Sequence, residues 1–397
     1  MTTSTRRIAA AIDDHLDHLD VGPSGLPGVI AGVTTAHETQ CVAARGEVTI
    51  GTGEQIAPDA ICSMYSVTKS LTATVAVQLV EQGLLDLDAP AADYEPRLGD
   101  VAVLDGFDTT GTPRLRAPRT PITTRQLLTH TSGFGYTFFD ADTSRAARAL
   151  SVPDVAAGSL ESLQTPLVFD PGSRWLYGIG LDWVGLVIES ITGKGLGAAM
   201  RERLLDPLGM RDSTFARDEA MLNRAATIHA RVPDGSLKPL RRPTVPDTPA
   251  VDLGGQGLYS TVDDLLAFLR MWLADGRSDD GEQVLHPETV RSATANQLRP
   301  GAVTPLPGID PRRTHSMEFF PGIPKGWALI GMTNEQDAPT GRSAGSFGWA
   351  GLANIYFWAD RRADIAGVWA TQVFPFGDPT AFAASTRFEK AVYESLR

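Results

Sequence analysis

Apolar residues recur three and four positions apart in several stretches of the chain, which is the spacing of one helix face. The first stretch carries Ile8, Ile12 and Leu16 on such a face. At Thr123 the run Thr-Thr-Arg-Gln matches a capping box, in which a threonine and a glutamine side chain close the start of a helix. The predicted helices cover residues 1–20, 66–85, 123–133, 180–191, 260–276 and 379–396.

Shorter apolar runs predict strands near both ends of the chain. The first two are joined by Ala36-His37-Glu38, a link short enough to indicate an antiparallel hairpin. The predicted strands cover residues 28–35, 39–46, 326–332, 352–359 and 364–373. Strands at both ends with helices between them predict an α/β content of the α+β type. We expect an antiparallel sheet built from both termini, flanked by helices, with a mostly helical insertion.

The domain organisation follows from the same pattern. We expect all 397 residues to form a single domain. Within it, residues 1–95 and 255–397 are the predicted sheet-containing part, and residues 96–254 are the predicted helical insertion. The segment 98–122, rich in Pro, Gly, Thr and Arg, is expected to extend over the surface.

Composition and charge narrow the possible partners. Hydrophobic residues make up 42% and charged residues 21%, which are ordinary values for a globular protein. The net charge of -12 repels phosphate backbones and anionic lipids, so neither nucleic acid nor a membrane is an expected partner. No apolar run approaches the ~20 residues needed to cross a bilayer. Asp13 and Asp14 stand where a secretory signal has its apolar core, so a cytoplasmic location is expected.

The strongest chemical signal is Ser66-Val67-Thr68-Lys69, at the start of the second predicted helix. Residues three apart in a helix share one face and are separated by about 4.5 Å along the axis, so the amine of Lys69 can accept the hydroxyl proton of Ser66. The free N–H groups at a helix start also favour a developing oxyanion. The chain has only five lysines, so a Ser-x-x-Lys spacing arises by chance less often here than in a lysine-rich sequence.

Further motifs follow this one in order along the chain. They are LLTHTSG at 127–133, PGSRWLYG at 171–178, DPLGMRDSTF at 206–215 and GGQGLYSTVDD at 254–264. In this order they resemble the serine hydrolases of the class C β-lactamase type, over about residues 25–390. That superfamily includes penicillin-binding DD-peptidases, D-aminopeptidases, family VIII carboxylesterases and lovastatin-type acyltransferases. The resemblance implies a β-lactamase/transpeptidase-like fold and a serine hydrolase that uses no cofactor.

The resemblance also implies roles for individual residues. Ser66 would be the acylated nucleophile and Lys69 its proton partner. Tyr177 would act as general base and then as acid toward the leaving group. A phenol titrates near pKa 10, and a neighbouring ammonium is expected to lower the pKa of Tyr177. Gly351 allows close backbone approach, so the N–H groups of Leu352 and Ser66 would form the oxyanion hole.

Two departures from the β-lactamase pattern indicate an esterase. Ile179 stands two residues after the tyrosine, where β-lactamases and DD-peptidases have Asn. The stretch GWAGL at 348–352, which opens the predicted strand at 352–359, has no cation where those enzymes have Lys-Thr-Gly or His-Thr-Gly. Trp349 in this place resembles the family VIII carboxylesterases. It implies that β-lactams are turned over slowly or not at all.

Aromatic residues cluster beside these motifs and indicate the substrate class. The candidate substrate-binding residues are Phe134, Tyr136, Phe138, Trp175, Trp349 and Gly351. Rings of this kind favour flat or apolar groups, and bulky rings near the nucleophile leave little room for a long acyl tail. We therefore expect a small, uncharged ester with a short acyl chain as the small-molecule partner.

A second serine motif competes with Ser66. The run GRSAG at 341–345 fits the G-x-S-x-G nucleophile elbow of α/β-hydrolases. That elbow needs a strand before it and a helix after it, whereas a polar loop precedes Ser343 and a predicted strand follows. The triad histidine would also have to follow the serine, yet the last histidine is His315. We expect Ser343 to be structural.

Histidines and cysteines predict no metal site. His15 and His18 share a helix face without the acidic or cysteine partners that such a site needs. His130 is expected to orient its loop through hydrogen bonds. Cys41 and Cys62 are too few for a disulfide framework and are expected to be buried free thiols.

Two classes of function are left open. The first is a serine esterase, with acyl transfer, D-amino acid amide hydrolysis and β-lactam hydrolysis as alternatives in the same superfamily. The second is a catalytically silent penicillin-binding relative. Ser66, Lys69 and Tyr177 together favour the first class, because a silent relative needs none of the three. The sequence leaves the physiological ester and the oligomeric state open.

Overall fold

A computed structural model describes residues 3–240 and 249–397 of the chain. Residues 241–248, which belong to the predicted insertion, lie outside the described residues. The α-helices are α1 Thr3–Asp17, α2 Thr68–Glu81, α3 Thr124–Leu128, α4 Ala141–Ala149, α5 Gly180–Thr192, α6 Leu196–Met200, α7 Glu219–Asn223, α8 Val262–Leu273, α9 Pro287–Thr294 and α10 Pro379–Ser395. The strands are β1 Gly28–Thr34, β2 Thr39–Gly46, β3 Cys62–Ser63, β4 Val103–Phe107, β5 Pro113–Arg116, β6 His229–Arg231, β7 Leu237–Pro239, β8 Tyr259–Ser260, β9 Lys325–Trp327, β10 Met332–Asn334, β11 Phe347–Gly351, β12 Ile355–Asp360, β13 Ile365–Ala370 and β14 Val373–Phe374.

A seven-stranded antiparallel sheet forms the centre of the fold. Its strand order is β2-β1-β13-β12-β11-β10-β9. The N-terminal hairpin joins the C-terminal strands where β1 pairs with β13, with Ile30 opposite Ala370. The prediction of an antiparallel sheet built from both termini is therefore confirmed.

Helices cover both faces of this sheet. α8 packs on one face, where a Cβ on Gly32 of β1 would come within 2.7 Å of Leu266 Cδ1. α1 and α10 pack on the other face, where Phe388 of α10 lies against Trp369 of β13. Every residue of β1, β12 and β13 is buried, as expected for strands covered on both sides.

Several helices away from the central sheet are arranged around α2. α2 contacts α5 and α6, and α3 packs against α5. All residues of α2 from Thr68 to Leu79 are buried, so this helix has no solvent-facing side over most of its length. It therefore presents Lys69 to the protein interior, where an ammonium loses most of its hydration.

The predicted helices are present with shifted ends. α8 begins after Thr261 and not at Ser260, because the Thr261 side chain accepts the N–H of Asp264 and caps the helix. α3 has the predicted capping box at Thr123. α2 ends at Glu81, two residues before Gly83 adopts a left-handed φ of 70°. Side-chain capping and glycine conformation thus set the ends of these helices, which apolar spacing alone locates only to within a few residues.

The prediction of one strand over 326–332 is wrong. These residues form a tight hairpin in which the N–H of Ala328 donates to the carbonyl of Gly331, and the chain reverses between β9 and β10. Turn residues inside a fully buried apolar run have no polar signature, so periodicity does not reveal them.

The prediction that 348–352 opens the strand at 352–359 is also wrong. Residues up to Gly351 form β11, a strand of their own that pairs with β12. A turn separates the two strands, with Asn354 in a left-handed conformation and its N–H donating to the Gly351 carbonyl. Trp349 therefore lies within a sheet strand next to β10.

Other predictions concern the thiols, the surface segment and the domain division. Cys41 and Cys62 are free, but only Cys62 is buried, and burial raises its pKa to about 12.

The segment 98–122 contains the β4–β5 hairpin. No helix in the described ranges is long and apolar enough to cross a membrane. The division of the chain into residues 1–95 with 255–397, and 96–254, stays a prediction.

Candidate active site

Ser66 lies in a tight turn that precedes the buried helix α2. β3 pairs with β8, and the chain then makes a 3-10 turn at Tyr65–Val67 before α2 begins. Tyr65 has a left-handed φ of 46°, a conformation that is strained for a residue other than glycine. Ser66 is thus in the turn before the regular helix, and its side chain borders a cavity, which we call the Ser66 cavity.

Lys69 is held inside the protein by three hydrogen bonds. Its Nζ donates to Ser66 Oγ at 3.2 Å, to Tyr136 Oη at 2.7 Å and to the carbonyl of Gly255 at 2.7 Å. Burial lowers the pKa of Lys69 because the ammonium loses hydration, and the charge of Asp182 opposes that shift. A lysine with a lowered pKa is more readily a neutral amine, which can accept the proton of Ser66.

Tyr177 also reaches Ser66, from the loop before α5. Its hydroxyl oxygen accepts the indole N–H of Trp349 at 2.8 Å, and its side chain hydrogen-bonds Ser66. Burial raises the pKa of Tyr177, while the hydrogen bonds with Ser66 and Trp349 lower it by less. The expectation that a neighbouring ammonium lowers this pKa is wrong. Lys69 Nζ lies 5.0 Å from the centroid of the Tyr177 ring and donates to the hydroxyl of Tyr136 instead.

His130 orients the loop that carries Tyr177. Its Nδ1 accepts the N–H of Gly178 at 3.3 Å, and its carbonyl accepts the N–H of Leu176 at 2.8 Å. The imidazole ring packs against the phenol, with 4.6 Å between the ring centroids. Burial lowers the pKa of His130 well below its usual range, so the ring is neutral. His130 thus holds the loop through hydrogen bonds, as the sequence predicts.

β11 forms the wall of the Ser66 cavity opposite α2. A Cβ on Gly351 would come within 2.4 Å of the Met64 carbonyl, so only glycine fits this close approach. Ser66 and Leu352 border the same cavity. The structure therefore brings together the two residues predicted to form an oxyanion hole, and the hole itself stays a prediction.

About 380 Å³ of space not filled by atoms, which includes open solvent, lies in the Ser66 cavity, and most of its lining residues are aromatic. Tyr136 and Phe138 stack along one wall, with 4.8 Å between their ring centroids. Among the described residues no charged side chain borders it. Besides Ser66, the lining residues are Tyr65, Tyr136, Phe138, Phe139, Tyr177, Gln256, Leu306, Trp349, Ala350, Gly351, Leu352 and Phe376.

Two residues predicted to line this pocket lie elsewhere. Phe134 stacks on Trp183 of α5, with 5.8 Å between the ring centroids. Trp175 packs against His130 and Trp327. The pocket prediction is wrong for Phe134 and Trp175, because residues that are close in a turning loop point in different directions.

The second serine motif lies in the loop between β10 and β11. The N–H of Ser343 donates to Asp360 Oδ2 at 2.8 Å, and Ser343 does not border the Ser66 cavity. Arg342 forms a buried ion pair with Glu389 of α10. Its charge is therefore already paired and is not available to hold an anionic acyl group.

Several residues of the site were not predicted. Asp182 could have been found from the sequence, since it is a carboxylate in the first turn of α5, five residues after Tyr177 and followed by six apolar residues. Gln256 lies inside the motif GGQGLYSTVDD at 254–264. Leu306 and Phe376 come from distant loops and have no local signature. Sequence spacing cannot bring such residues to one cavity.

The contacts support covalent chemistry on a serine. The Ser66 hydroxyl borders an uncharged cavity and contacts both a buried amine and a buried phenol, which is the arrangement that an activated nucleophile needs. In residues 3–240 and 249–397 no group of three or more His, Cys, Asp or Glu side chains is placed to hold a metal.

Comparisons with known proteins give matches that span most of the chain. The family model described as Beta-lactamase matches residues 9–391. The chain is 31% identical over 359 residues to the monacolin J acid methylbutanoyltransferase of Aspergillus terreus, covering 84% of this chain and 82% of that protein. It is 31% identical over 347 residues to the lovastatin esterase of Penicillium rubens, covering 83% and 84%. Among solved structures, the unliganded simvastatin synthase of Aspergillus terreus is similar with a TM-score of 0.80 at 27% identity, over 99% of this chain and 98% of that one.

Proposed function

The chain belongs to the beta-lactamase family, and from that premise we propose that it is a serine esterase for small, uncharged esters with short acyl chains. The reaction proceeds through an acyl-enzyme on Ser66, with Lys69 as the base and Tyr177 as the acid. The observation that carries the proposal is the contact of Lys69 Nζ with Ser66 Oγ at 3.2 Å, beside an uncharged cavity. Trp349, in place of the family's cation, supports the family VIII carboxylesterase type.

Acylation moves two protons. The neutral amine of Lys69 takes the hydroxyl proton of Ser66 while Oγ bonds the ester carbonyl carbon. The carbonyl oxygen becomes an oxyanion facing the N–H groups of Ser66 and Leu352. As the C–O bond to the alcohol breaks, Tyr177 gives its phenolic proton to the departing oxygen. The products are the free alcohol and an acyl-enzyme with a Lys69 ammonium and a Tyr177 phenolate.

Deacylation returns both protons. The phenolate of Tyr177 takes a proton from water, and the resulting hydroxide attacks the acyl carbon. Ser66 Oγ leaves with the proton held by Lys69, which restores the starting state. The raised pKa of Tyr177 suits this sequence, because the phenol is protonated when the alcohol leaves, and the phenolate then formed is basic enough to take a proton from water. The Trp349 N–H already donates to the phenolic oxygen and stabilises that phenolate.

We expect p-nitrophenyl esters of two to twelve carbons to show a peak in kcat/KM at two to six carbons. The reason is the bulky lining of the Ser66 cavity, in which Phe138, Leu306 and Phe376 border the space beside Ser66 and are expected to crowd a long acyl tail. Initial rates across the series test this expectation. Phe138→Ala, which opens one wall, should move the peak to longer chains. A wild-type peak at ten or more carbons would contradict the proposal, and a preference for D-amino acid amides would place the enzyme with the peptidases.

Acyl transfer to an alcohol is the second candidate. Two relatives support it: the methylbutanoyltransferase that is 31% identical, and the simvastatin synthase structure. In the deacylation step above, an alcohol O–H can replace water without any other change. Reaction of p-nitrophenyl butyrate with benzyl alcohol at increasing concentration separates the two candidates. Benzyl butyrate as the main product at millimolar alcohol would favour transfer, and butyrate as the main product would favour hydrolysis.

We expect nitrocefin turnover to be slow or absent. Ile179 and Trp349 stand where β-lactamases have an amide and a cation, and the nearby Arg342 is paired with Glu389. Losing one charge-assisted hydrogen bond costs roughly 1.5–3 kcal/mol, or about 10–150-fold in rate. Side-by-side kcat/KM values for nitrocefin and p-nitrophenyl butyrate test this expectation, and comparable values would refute it.

A further inference from the structure

Asp182 is a buried carboxylate that the mechanism above does not use. It lies in the first turn of α5 and is 1% exposed. Its Oδ1 accepts the N–H of Gly255 at 2.8 Å, while Oδ2 has no hydrogen-bond partner. A Cβ on Gly255 would come within 2.4 Å of Oδ2, so glycine is required for this close packing. An unpartnered, buried carboxylate oxygen is costly, and a nearby positive charge offsets that cost.

Gly255 connects this carboxylate to Lys69. The N–H of Gly255 donates to Asp182, and the carbonyl of the same residue accepts the hydrogen bond of Lys69 Nζ at 2.7 Å. The preceding residue is fixed as well, since the Gly254 carbonyl accepts the hydroxyl of Thr72 at 2.8 Å. Gly254 and Gly255 lie in space between α2 and α5 and are hydrogen-bonded to both helices, and the Gly255 carbonyl points at the Lys69 amine.

Lys69 and Asp182 are both buried, are linked through Gly255, and each acts electrostatically on the other. Among the residues that the structure describes, the other titratable groups around Lys69 are Tyr136, Tyr177 and His130. Burial raises the pKa of both tyrosines and lowers that of His130, so all three are neutral near pH 7. Burial also lowers the pKa of Lys69 and raises that of Asp182, and the charge of each opposes the shift of the other.

We propose that Asp182 is a positioning residue that sets the protonation of Lys69 and directs the Gly255 carbonyl at it, and thereby sets the pH at which Ser66 becomes a nucleophile. The inference rests on the proposed function, in which a neutral Lys69 takes the proton of Ser66. A carboxylate that only stabilised the fold would leave this pH unchanged.

The direction of the effect follows from the charges. The anion of Asp182 favours the ammonium form of Lys69, so it holds the pKa of Lys69 above the value that burial alone would impose. Removing the anion lowers that pKa further. Lys69 is then a free amine at lower pH, and the acidic limb of the activity profile moves to lower pH.

The test is Asp182→Asn, which keeps an oxygen for the Gly255 N–H and removes the charge. We expect the acidic limb of kcat/KM for p-nitrophenyl acetate to move down by about one pH unit or more. Asp264→Asn is a matched control. Asp264 lies in the first turn of α8 and also accepts a backbone N–H, that of Asp212 at 2.9 Å, and burial raises its pKa to about 6. Its removal should leave the profile unchanged.

A second readout separates failure of this inference from failure of the proposed function. The rate at which a phosphonate labels Ser66, followed by intact mass against pH, reports activation of the serine without turnover. No label on wild-type Ser66 would overturn the proposed function itself. Label on Ser66 with the same pH dependence in wild type and Asp182→Asn would overturn only the role of Asp182.

Loss of folding in the asparagine variant is also informative. Asp182→Ser is neutral and smaller, and we expect the same downward shift from it. Near-ultraviolet circular dichroism shows whether each variant keeps its tertiary packing. If neither neutral variant folds, Asp182 is a structural residue and the inference is wrong.

Discussion

Ser66→Ala is expected to lower kcat/KM toward p-nitrophenyl acetate by about 10³-fold or more. The substitution removes the hydroxyl that forms the covalent bond, so no acyl-enzyme can form. Lys69 keeps its hydrogen bonds to Tyr136 and Gly255, so the shape of the site should be retained. The thermal unfolding midpoint of the variant should therefore stay close to that of the wild type.

Ser343→Ala is the control for this result. Ser343 lies in the β10–β11 loop, and its contact to Asp360 runs through the backbone N–H, which alanine keeps. We expect at most a small change in activity. Mass spectrometry after phosphonate treatment assigns the nucleophile directly, with the label expected on the peptide that contains Ser66. Label on Ser343 in place of Ser66 would refute the assignment.

Tyr177→Phe is expected to lower kcat by about 10²–10⁴-fold, the range of a lost general acid–base group. The variant keeps the ring that packs on His130 and Trp349 and removes only the hydroxyl. Without the phenolic proton, the alcohol must leave as an alkoxide. The loss should be smaller for p-nitrophenyl esters, whose leaving group needs no proton, than for alkyl esters. Comparing p-nitrophenyl butyrate with ethyl butyrate measures this difference.

A matched control keeps this prediction specific to the site. Tyr393 of α10 is also buried, and its hydroxyl donates to Asp360 at 2.9 Å, outside the Ser66 cavity. Tyr393→Phe should leave kcat unchanged. Because Lys69 and Tyr177 serve the same reaction cycle, adding Lys69→Met to Tyr177→Phe should cost much less than the product of the two single losses. A Tyr177→Phe enzyme within about threefold of wild type would rule out the role of the phenol as acid.

Most of the correctly predicted helices and strands follow from patterns within short stretches of sequence. The N-terminal hairpin and the helix that ends at Gly193 follow from spacing and turn chemistry within a few residues. The failures lie where the chain is buried on all sides. Over 326–332 and 348–359, turns occur inside apolar runs, and the spacing of the apolar residues does not distinguish them from strand.

The same limit applies to the pocket. Tyr136 and Phe138 face the Ser66 cavity, whereas Phe134, a few residues earlier in the same loop, stacks on Trp183. Aromatic clustering indicated a pocket near this loop. It did not indicate which rings face inward, because that depends on the backbone path between them.

By itself, the sequence determined the family, the antiparallel sheet built from both termini and the pairing of Ser66 with Lys69, because these depend on ordered motifs and on a spacing of three residues. Only the tertiary structure decided which of the groups Lys69, Tyr177 and Asp182 tend to hold a proton. Lys69 meets Tyr136 across 67 positions of sequence and Gly255 across 186, and such contacts leave no local pattern. Burial, which no single residue reveals, sets the pKa directions of Lys69, Tyr177 and Asp182, since the cost of holding a charge depends on everything packed around it.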